Sequence, residues 1–243
     1  MRWSKYLKLV LILLLPAFTF SQNKITEKQQ IWLGYITQTK LTNHLSWWND
    51  AHWVPESFGI VRTGLIYHFG KKKQFTTTLG YAFAEFYPPE GKSTFRPEHR
   101  PWGQSTYQHQ SHSFTFLHRL RYEARYREII VDDNLQNEFN FNYRFRYLLQ
   151  MRYFFKTEKT GKLFVTASDE LLFNAGDEIK NGFRLDQNRI SAGLGYQYKN
   201  VTFQLAYMNQ LIESNVDNTF KMNHNLQFLV FHNFDLRKKQ IKK

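Results

Sequence analysis

The sequence predicts an all-β fold: a transmembrane antiparallel up-and-down β-barrel of about ten strands, or of twelve if one strand pair escapes the pattern. Three observations predict it. Long segments alternate charged and apolar residues with a period of two, and the N-terminus has the features of an export signal. Aromatic residues make up 18% of the chain, with 23 Phe and 14 Tyr. That content suits a lipid-facing band bordered by interfacial girdles.

The alternation is clearest in two segments, Ser113 to Arg127 and Glu138 to Tyr153. Successive side chains of a strand point to opposite faces, so each segment has one apolar face and one face too charged for a packed core. Both segments exceed the usual half-dozen residues of a strand. This combination is typical of a wall between lipid and a wet lumen. The residues predicted to face lipid include Leu120, Tyr122, Phe141 and Phe145.

The first residues predict export. Basic residues precede the apolar run Leu9 to Leu15, and the small residues Thr19 and Ser21 lead to a cleavage site before Gln22. We therefore expect residues 1–21 to be a signal peptide and residues 22–243 to form a barrel in a bacterial outer membrane. The apolar run is well short of the ~20 residues that span a bilayer, and no later segment reaches that length without charges. A helical membrane protein is therefore excluded.

Composition excludes several classes of site. With no cysteine in the chain, there is no disulfide, no thiolate metal site and no lipid-modified cysteine. The formal charge of +13 would suit a nucleic-acid partner, but the arginines occupy alternate strand positions instead of a patch. Export also argues against nucleic acid. No HExxH, Walker or dinucleotide-binding motif occurs, so no metal and no cofactor are expected.

Segments of period two bounded by turn residues give the order of the elements. The predicted strands are Gln30 to Lys40, His44 to Trp53, Ser57 to Phe69, Phe75 to Phe86, Gln108 to Glu128, Glu138 to Phe154, Lys162 to Phe173, Arg184 to Tyr198, Val201 to Glu213 and Asn223 to Leu236.

The connections in the C-terminal half alternate in length. Thr157 to Gly161 and Lys199-Asn200 are tight, whereas Ile129 to Asn137, Asn174 to Phe183 and Ser214 to Met222 are longer and polar. Bacterial barrels have short periplasmic turns and longer outer loops, so this half fits a barrel with both termini in the periplasm.

The N-terminal half does not fit this rule. The segment Tyr87 to Tyr107 contains four prolines. It is a long periplasmic excursion, an inward plug, or a missed strand pair that raises the count to twelve.

An ordered series of motifs resembles the family catalogued as domain of unknown function 2490. The resemblance covers nearly all of the chain after residue 21 and implies an outer-membrane barrel of uncharacterised activity, with no catalytic residues to carry over. The motifs are Trp32-Leu33-Gly34, PEHRPW at Pro97 to Trp102, HRLRYEARY at His118 to Tyr126, RFRYLL at Arg144 to Leu149, Asp169-Glu170, FRLDQNRISAGLGYQY at Phe183 to Tyr198 and LAYMNQ at Leu205 to Gln210.

The charged face of the strands is the main candidate site. Its side chains either pair with one another and fill a narrow lumen, or leave a positive lumen that draws anions, or bind a lipid phosphate or acidic glycan. The predicted lumen network is Arg119, Arg121, Glu123, Arg125, Glu138, Arg144, Arg146, Arg152, Glu170 and Arg189.

Three further groups carry weaker hypotheses. If Glu170 and Arg189 point inward, parity places Asp169, Asp186 and Asn188 near the headgroups, as interfacial polar residues or as a cation site. A second group, the aromatic residues Trp47, Trp48 and Trp53 with Tyr35 and Tyr67, is predicted to form a girdle or a platform that stacks on sugars.

The third group contains Ser and His residues. A barrel enzyme that cleaves lipids needs a Ser and a His on the outer wall. His109, Ser111, His112, Ser113 and His118 cluster in sequence, and Ser113 and His118 are the pair whose replacement would test catalysis.

The sequence favours a passive role over catalysis: a structural or binding barrel, or a small anion-favouring pore. The expected partners are outer-membrane lipids and small anionic solutes or lipid phosphates. The alternative is a lipid-modifying barrel enzyme of the lipase or deacylase type.

Overall fold

The structure, a computed structural model, describes residues 24–155, 161–179, 182–214 and 219–237, and the predicted signal peptide lies outside these residues. The described chain forms a closed barrel of eleven strands. In chain order the strands are Lys24–Lys40 (β1), Leu45–Val54 (β2), Phe58–Phe69 (β3), Phe75–Phe86 (β4), Arg96–Ser111 (β5), Phe114–Val131 (β6), Asn134–Phe154 (β7), Lys162–Ala175 (β8), Phe183–Tyr198 (β9), Val201–Glu213 (β10) and Thr219–Asp235 (β11). In the described part of the chain, no helix has the length and apolar character needed to cross a membrane.

The barrel closes through a parallel pair of strands. Lys24 pairs with Thr219 and Lys40 pairs with Asp235, so β1 and β11 run in the same direction, while every other neighbouring pair is antiparallel. The all-β barrel is confirmed, but the expectation of a wholly antiparallel wall is wrong. An odd number of strands makes the parallel closure unavoidable.

The same closure separates the two ends of the wall. β1 begins at one end of the barrel, which we call the Lys24 end, and β11 finishes at the opposite end, which we call the Lys40 end. The expectation that both termini lie at one end is therefore wrong.

β5 occupies the proline-rich segment. We expected Tyr87 to Tyr107 to be an excursion, a plug or a strand pair, but Arg96–Ser111 is a single strand of the wall. Its register with β6 skips Arg100 and Pro101, which fits a proline that cannot donate a ladder hydrogen bond.

The expected strand Gln108 to Glu128 consists of parts of two strands. β5 ends at Ser111 and β6 begins at Phe114. In the turn between them, His112 takes a positive φ of 53°, a conformation that few residues other than glycine adopt.

The pairing register sets the shape of the barrel. Following residue partners from Lys40 through every strand returns to β1 at Thr26, fourteen residues away. For eleven strands, this stagger gives a strand tilt of about 40° and a radius of about 11 Å. Side chains can fill most of an interior this narrow.

The two faces of the wall differ as the alternation predicts. Leu120, Tyr122 and Phe145 point outward, with 63%, 40% and 42% of their surface exposed. Phe141 packs against Tyr126 and Tyr143 on the same outer face. The inner face buries Arg121, Glu123, Arg144 and Arg146.

The tryptophans divide between the faces. Trp47 and Trp53 are exposed on the outer face. Trp48 lies inside the barrel, where its ring centroid is 5.2 Å from that of Trp102. The expectation that Trp48 belongs to the girdle is wrong, because adjacent residues of a strand point to opposite faces and Trp47 takes the outer one.

Candidate functional site

The centre of the lumen holds two linked carboxylates. Arg146 donates hydrogen bonds to Glu123 at 2.9 Å and to Glu170 at 2.9 and 3.0 Å. Glu170 also accepts a hydrogen bond from Arg119 at 2.6 Å and lies 3.5 Å from Arg189. The register produces this cluster, because Arg146 faces Arg121 across one ladder and Glu170 faces Arg189 across another.

A second carboxylate cluster lies on β5. The side chain of Glu98 is fully buried and accepts hydrogen bonds from Arg125 at 2.6 and 3.0 Å. Arg100 also donates to Glu98 and lies 3.9 Å from Glu123, so the two clusters are continuous. Buried charges are tolerated when they are paired in this way.

Nine of the ten predicted network residues belong to this interior, and Glu138 does not. Glu138 is exposed on the part of β7 that pairs only with β6, because β8 joins β7 from Tyr143 onward. A register shift between Glu128 and Ile130 lets this hairpin continue past the wall of the barrel.

Three carboxylates that the sequence interpretation did not assign to the lumen complete the network. Glu98 fell in the proline-rich segment, although Glu98, Arg100 and Trp102 alternate with the period that marks the other strands. Asp50 of β2 accepts hydrogen bonds from Arg62 at 2.8 and 3.0 Å.

Asp186 is the third, and its expected outward position is wrong. The register between β8 and β9 shifts at Leu172 and Phe173, and Asp186 is the residue skipped. This bulge turns Asp186 into the lumen, where Arg144 donates to it at 2.7 Å. Asp169 and Asn188 remain on the outer face and bond to each other at 2.6 Å.

The hypothesis of a cation site at these residues is therefore wrong, because Asp186 and Asp169 lie on opposite sides of the wall. Among the described residues, no group of three or more His, Asp and Glu side chains could hold a metal ion.

Beside the clusters, one side of the lumen is aromatic, because Trp102 follows Glu98 and Arg100 on β5. Trp102 packs with Ile60, Ala82 and Ala84, and Trp48 joins them. Arg121 reaches this side, with its guanidinium carbon 5.3 Å from the ring centre of Trp48 and 4.8 Å from that of Trp102. Charged and aromatic side chains thus meet across the interior.

Between them lies a cavity of about 420 Å³ with a positive lining. Among the described residues, nine arginines line it and five carboxylates pair with them, so this set has an excess of four positive charges. The arginines are Arg62, Arg100, Arg119, Arg121, Arg125, Arg144, Arg146, Arg152 and Arg189, and the carboxylates are Asp50, Glu98, Glu123, Glu170 and Asp186. Such a lining can attract and hold an anion.

The outer wall does not assemble the expected Ser and His pair. His118 forms a 3.0 Å hydrogen bond with Tyr147, and Ser113 lies in the turn before β6. Ser111 lies 3.4 Å from its neighbour His112, a long contact between adjacent residues.

A shorter Ser and His contact occurs in the lumen, where Ser46 Oγ lies 2.8 Å from His68 Nε2. Ser46 is fully buried there. A lipid at the outer wall has no access to this hydroxyl.

Comparison with known proteins yields one finding. A model of the family described as Protein of unknown function (DUF2490) matches residues 29–221, which confirms the resemblance seen in the motif series. Searches of curated proteins and of solved structures each gave no match.

Proposed function

We propose that this chain, which belongs to the DUF2490 family of proteins of unknown function, is an outer-membrane β-barrel with a closed lumen that binds small anions. The observation that carries the proposal is the interior. Nine arginines line a cavity of about 420 Å³. Their carboxylate partners bind them along the inner wall, and Arg121 and Arg152 reach across to Trp48 of β2 and Phe231 of β11, where a pore would need free water.

The outer face supports the membrane location. On β6, Tyr126 packs against Phe141 near the Lys24 end, and Phe116 stacks on His109 near the Lys40 end. The ten residues between Tyr126 and Phe116, at the strand tilt given above, correspond to a height of about 25 Å. Apolar bands of this height between aromatic girdles are typical of outer-membrane barrels.

The turns support an orientation. Four connections at the Lys40 end, residues 41–44, 70–74, 112–113 and 199–200, have two to five residues each, whereas the two-residue turn 132–133 at the Lys24 end is the tip of a projecting hairpin. The loop at residues 87–95 and the projecting hairpin of β6 and β7 lie at the Lys24 end. Because short turns face the periplasm in bacterial barrels, we assign the Lys40 end to the periplasmic side.

The location is tested by cell fractionation. The protein should begin at Gln22, sediment with the outer membrane and change its mobility on a gel when it is boiled. Recovery as a soluble periplasmic protein would contradict the proposal.

Anion binding is tested by titrating the purified barrel in detergent micelles with inorganic phosphate and measuring the heat of binding. We expect saturable binding that weakens as salt is added, because salt screens the positive lining at the mouths of the lumen. No detectable heat at any salt concentration would contradict the binding function while leaving the location intact.

A further inference from the structure

One cavity arginine differs from the other eight. Each of the eight donates to a carboxylate or amide oxygen, as Arg121 does to Gln104 at 2.7 Å and Arg189 to Gln187 at 2.7 Å. Within the described residues, Arg152 has neither an ion pair nor a hydrogen bond. Its Nε atom is buried and has no partner.

Two aromatic rings hold Arg152 in place. Its guanidinium carbon lies 5.1 Å from the ring centre of Phe164 on β8 and 5.6 Å from that of Phe231 on β11. Ring faces attract the cation but accept no conventional hydrogen bond. The N–H groups of Arg152 therefore stay available to a ligand, while the position of the guanidinium is fixed.

Small residues follow Arg152 along its row of the sheet. Its ladder partner on β8 is Thr166, whose own partner on β9 is Gly193, followed by Ala206 on β10. This row of small residues contrasts with the rows of arginine and glutamate at the centre of the lumen. Arg152 also lines the cavity that the other arginines share.

Further polar atoms near this row are unused. Thr166 Oγ1 and Gln204 Oε1 are buried without a partner, and Gln204 lines the same cavity as Arg152. Because a buried polar group without a partner is destabilising, such groups mark places where a ligand or water completes the structure. The Thr166 hydroxyl can donate to an oxygen of the oxyanion, whereas Gln204 Oε1 can only accept, as it would from the P–OH group of a hydrogen phosphate.

We infer that Arg152 is the binding point of a small oxyanion, a phosphate or carboxylate, in the part of the lumen nearest the Lys40 end. This inference rests on the proposed anion-binding function and assigns it to one side chain. The paired arginines hold the barrel together, and the unpaired one binds the ligand.

The test is phosphate binding, measured by calorimetry on the folded barrel in detergent micelles. Arg152→Gln should weaken phosphate binding about tenfold or more, the loss expected for hydrogen bonds to a charged group. Arg96→Gln, which removes the same charge from an exposed position at the start of β5, should leave the affinity within about twofold.

A second variant guards against a folding defect in the first. Arg152→Lys keeps the charge but loses the planar N–H groups and should bind phosphate more weakly than the wild type. Wild-type binding that both Arg152 variants retain unchanged would overturn the inference while sparing the proposed function. A wild type that binds no phosphate would overturn both.

The source of the oxyanion is tested by adding phosphatidic acid to the micelles. A site enclosed by the barrel should hold inorganic phosphate against this lipid, so the phosphate affinity should not change. Displacement of phosphate by the lipid would overturn the assignment to a free solute and identify a lipid headgroup as the ligand.

Discussion

The two sides of the lumen fill the same barrel by different means. The aromatic side, around Trp102, fits a large ring against small residues. A side chain at Gly80 would come within 2.7 Å of the Trp102 ring, and Ala82 and Ala84 pack in the same cluster. The charged side, around Glu170, matches charges, with one carboxylate shared by three arginines. Changes of volume should therefore be felt on the first side and changes of charge on the second.

The largest effect is expected from Glu170→Gln. Removing this charge leaves Arg119, Arg146 and Arg189 buried without their shared partner, which should lower the free energy of unfolding by about 3–5 kcal/mol. The loss is measured as a shift in the urea midpoint of the gel mobility transition. The matched control is Glu138→Gln on the exposed hairpin, which should be neutral, and equal losses would contradict the separation of Glu138 from the network.

The outer face gives the next largest effect. Phe145→Arg places a charge in the apolar band and should cost about 2–4 kcal/mol. Its neighbour Arg144 lies inside, so Arg144→Gln should cost less, because the Asp186 side chain is 17% exposed and can bond to water, and Asn174 can still accept from the new amide. The urea midpoints of the two variants measure these costs, and equal costs would show that the two faces are wrongly assigned.

A double-mutant cycle sharpens the comparison where the two sides meet. Arg121 lies against Trp102, and their coupling should be about 0.5–2 kcal/mol, measured from the unfolding free energies of Arg121→Met, Trp102→Phe and the double variant. Zero coupling would mean that the aromatic and charged sides fill the lumen independently.

The smallest effect concerns a loop anchor at the Lys24 end. Asp133 accepts hydrogen bonds from the Ser93 amide at 2.9 Å and the Thr94 amide at 3.0 Å. These bonds, led by the one from the Ser93 hydroxyl, lower the pKa of Asp133 from 3.8 to about 2. Because the folded pKa is the lower one, the anchor is fully present above pH 3.8 and is lost as the pH falls through about 2.

Hydrogen exchange at the Ser93 and Thr94 amides measures this anchor. Exchange should accelerate in Asp133→Asn at neutral pH, whereas Asp132→Asn should not change it. Asn tolerates the positive φ of both positions, so the turn itself is preserved. If the Ser93 amide stayed protected from exchange in Asp133→Asn, the Asp133 carboxylate would not be the anchor.

The strands that the sequence predicts correctly differ physically from the strand that it does not reveal. β6 and β7 were recognisable because a charged face excludes a packed core, so the period of two decides both strand and side. β5 was missed because Pro97 and Pro101 argue against a strand and because the turn at His112 has no glycine or proline to mark it. Trp48 was misplaced because residue type alone does not decide which of two adjacent tryptophans points inward.

The remaining errors are long-range. The inward turn of Asp186 depends on a bulge created by pairing with β8, and the parallel closure depends on the total strand count. Neither is encoded within a window of neighbouring residues. Seven of the nine cavity arginines were found from their spacing, but Arg62 and Arg100 were not, and the inward position of Asp186 required the register.

The central claim, that the charged side closes the lumen, is tested most directly by the current through the purified protein in a planar bilayer. Because Arg121 of β6 reaches Trp48 on β2 and Arg152 of β7 reaches Phe231 on β11, side chains cross the interior, and we predict little or no steady conductance for the wild type. A steady conductance would contradict the claim, and a robust cation-selective current would contradict it most strongly, since a lumen with excess arginine repels cations.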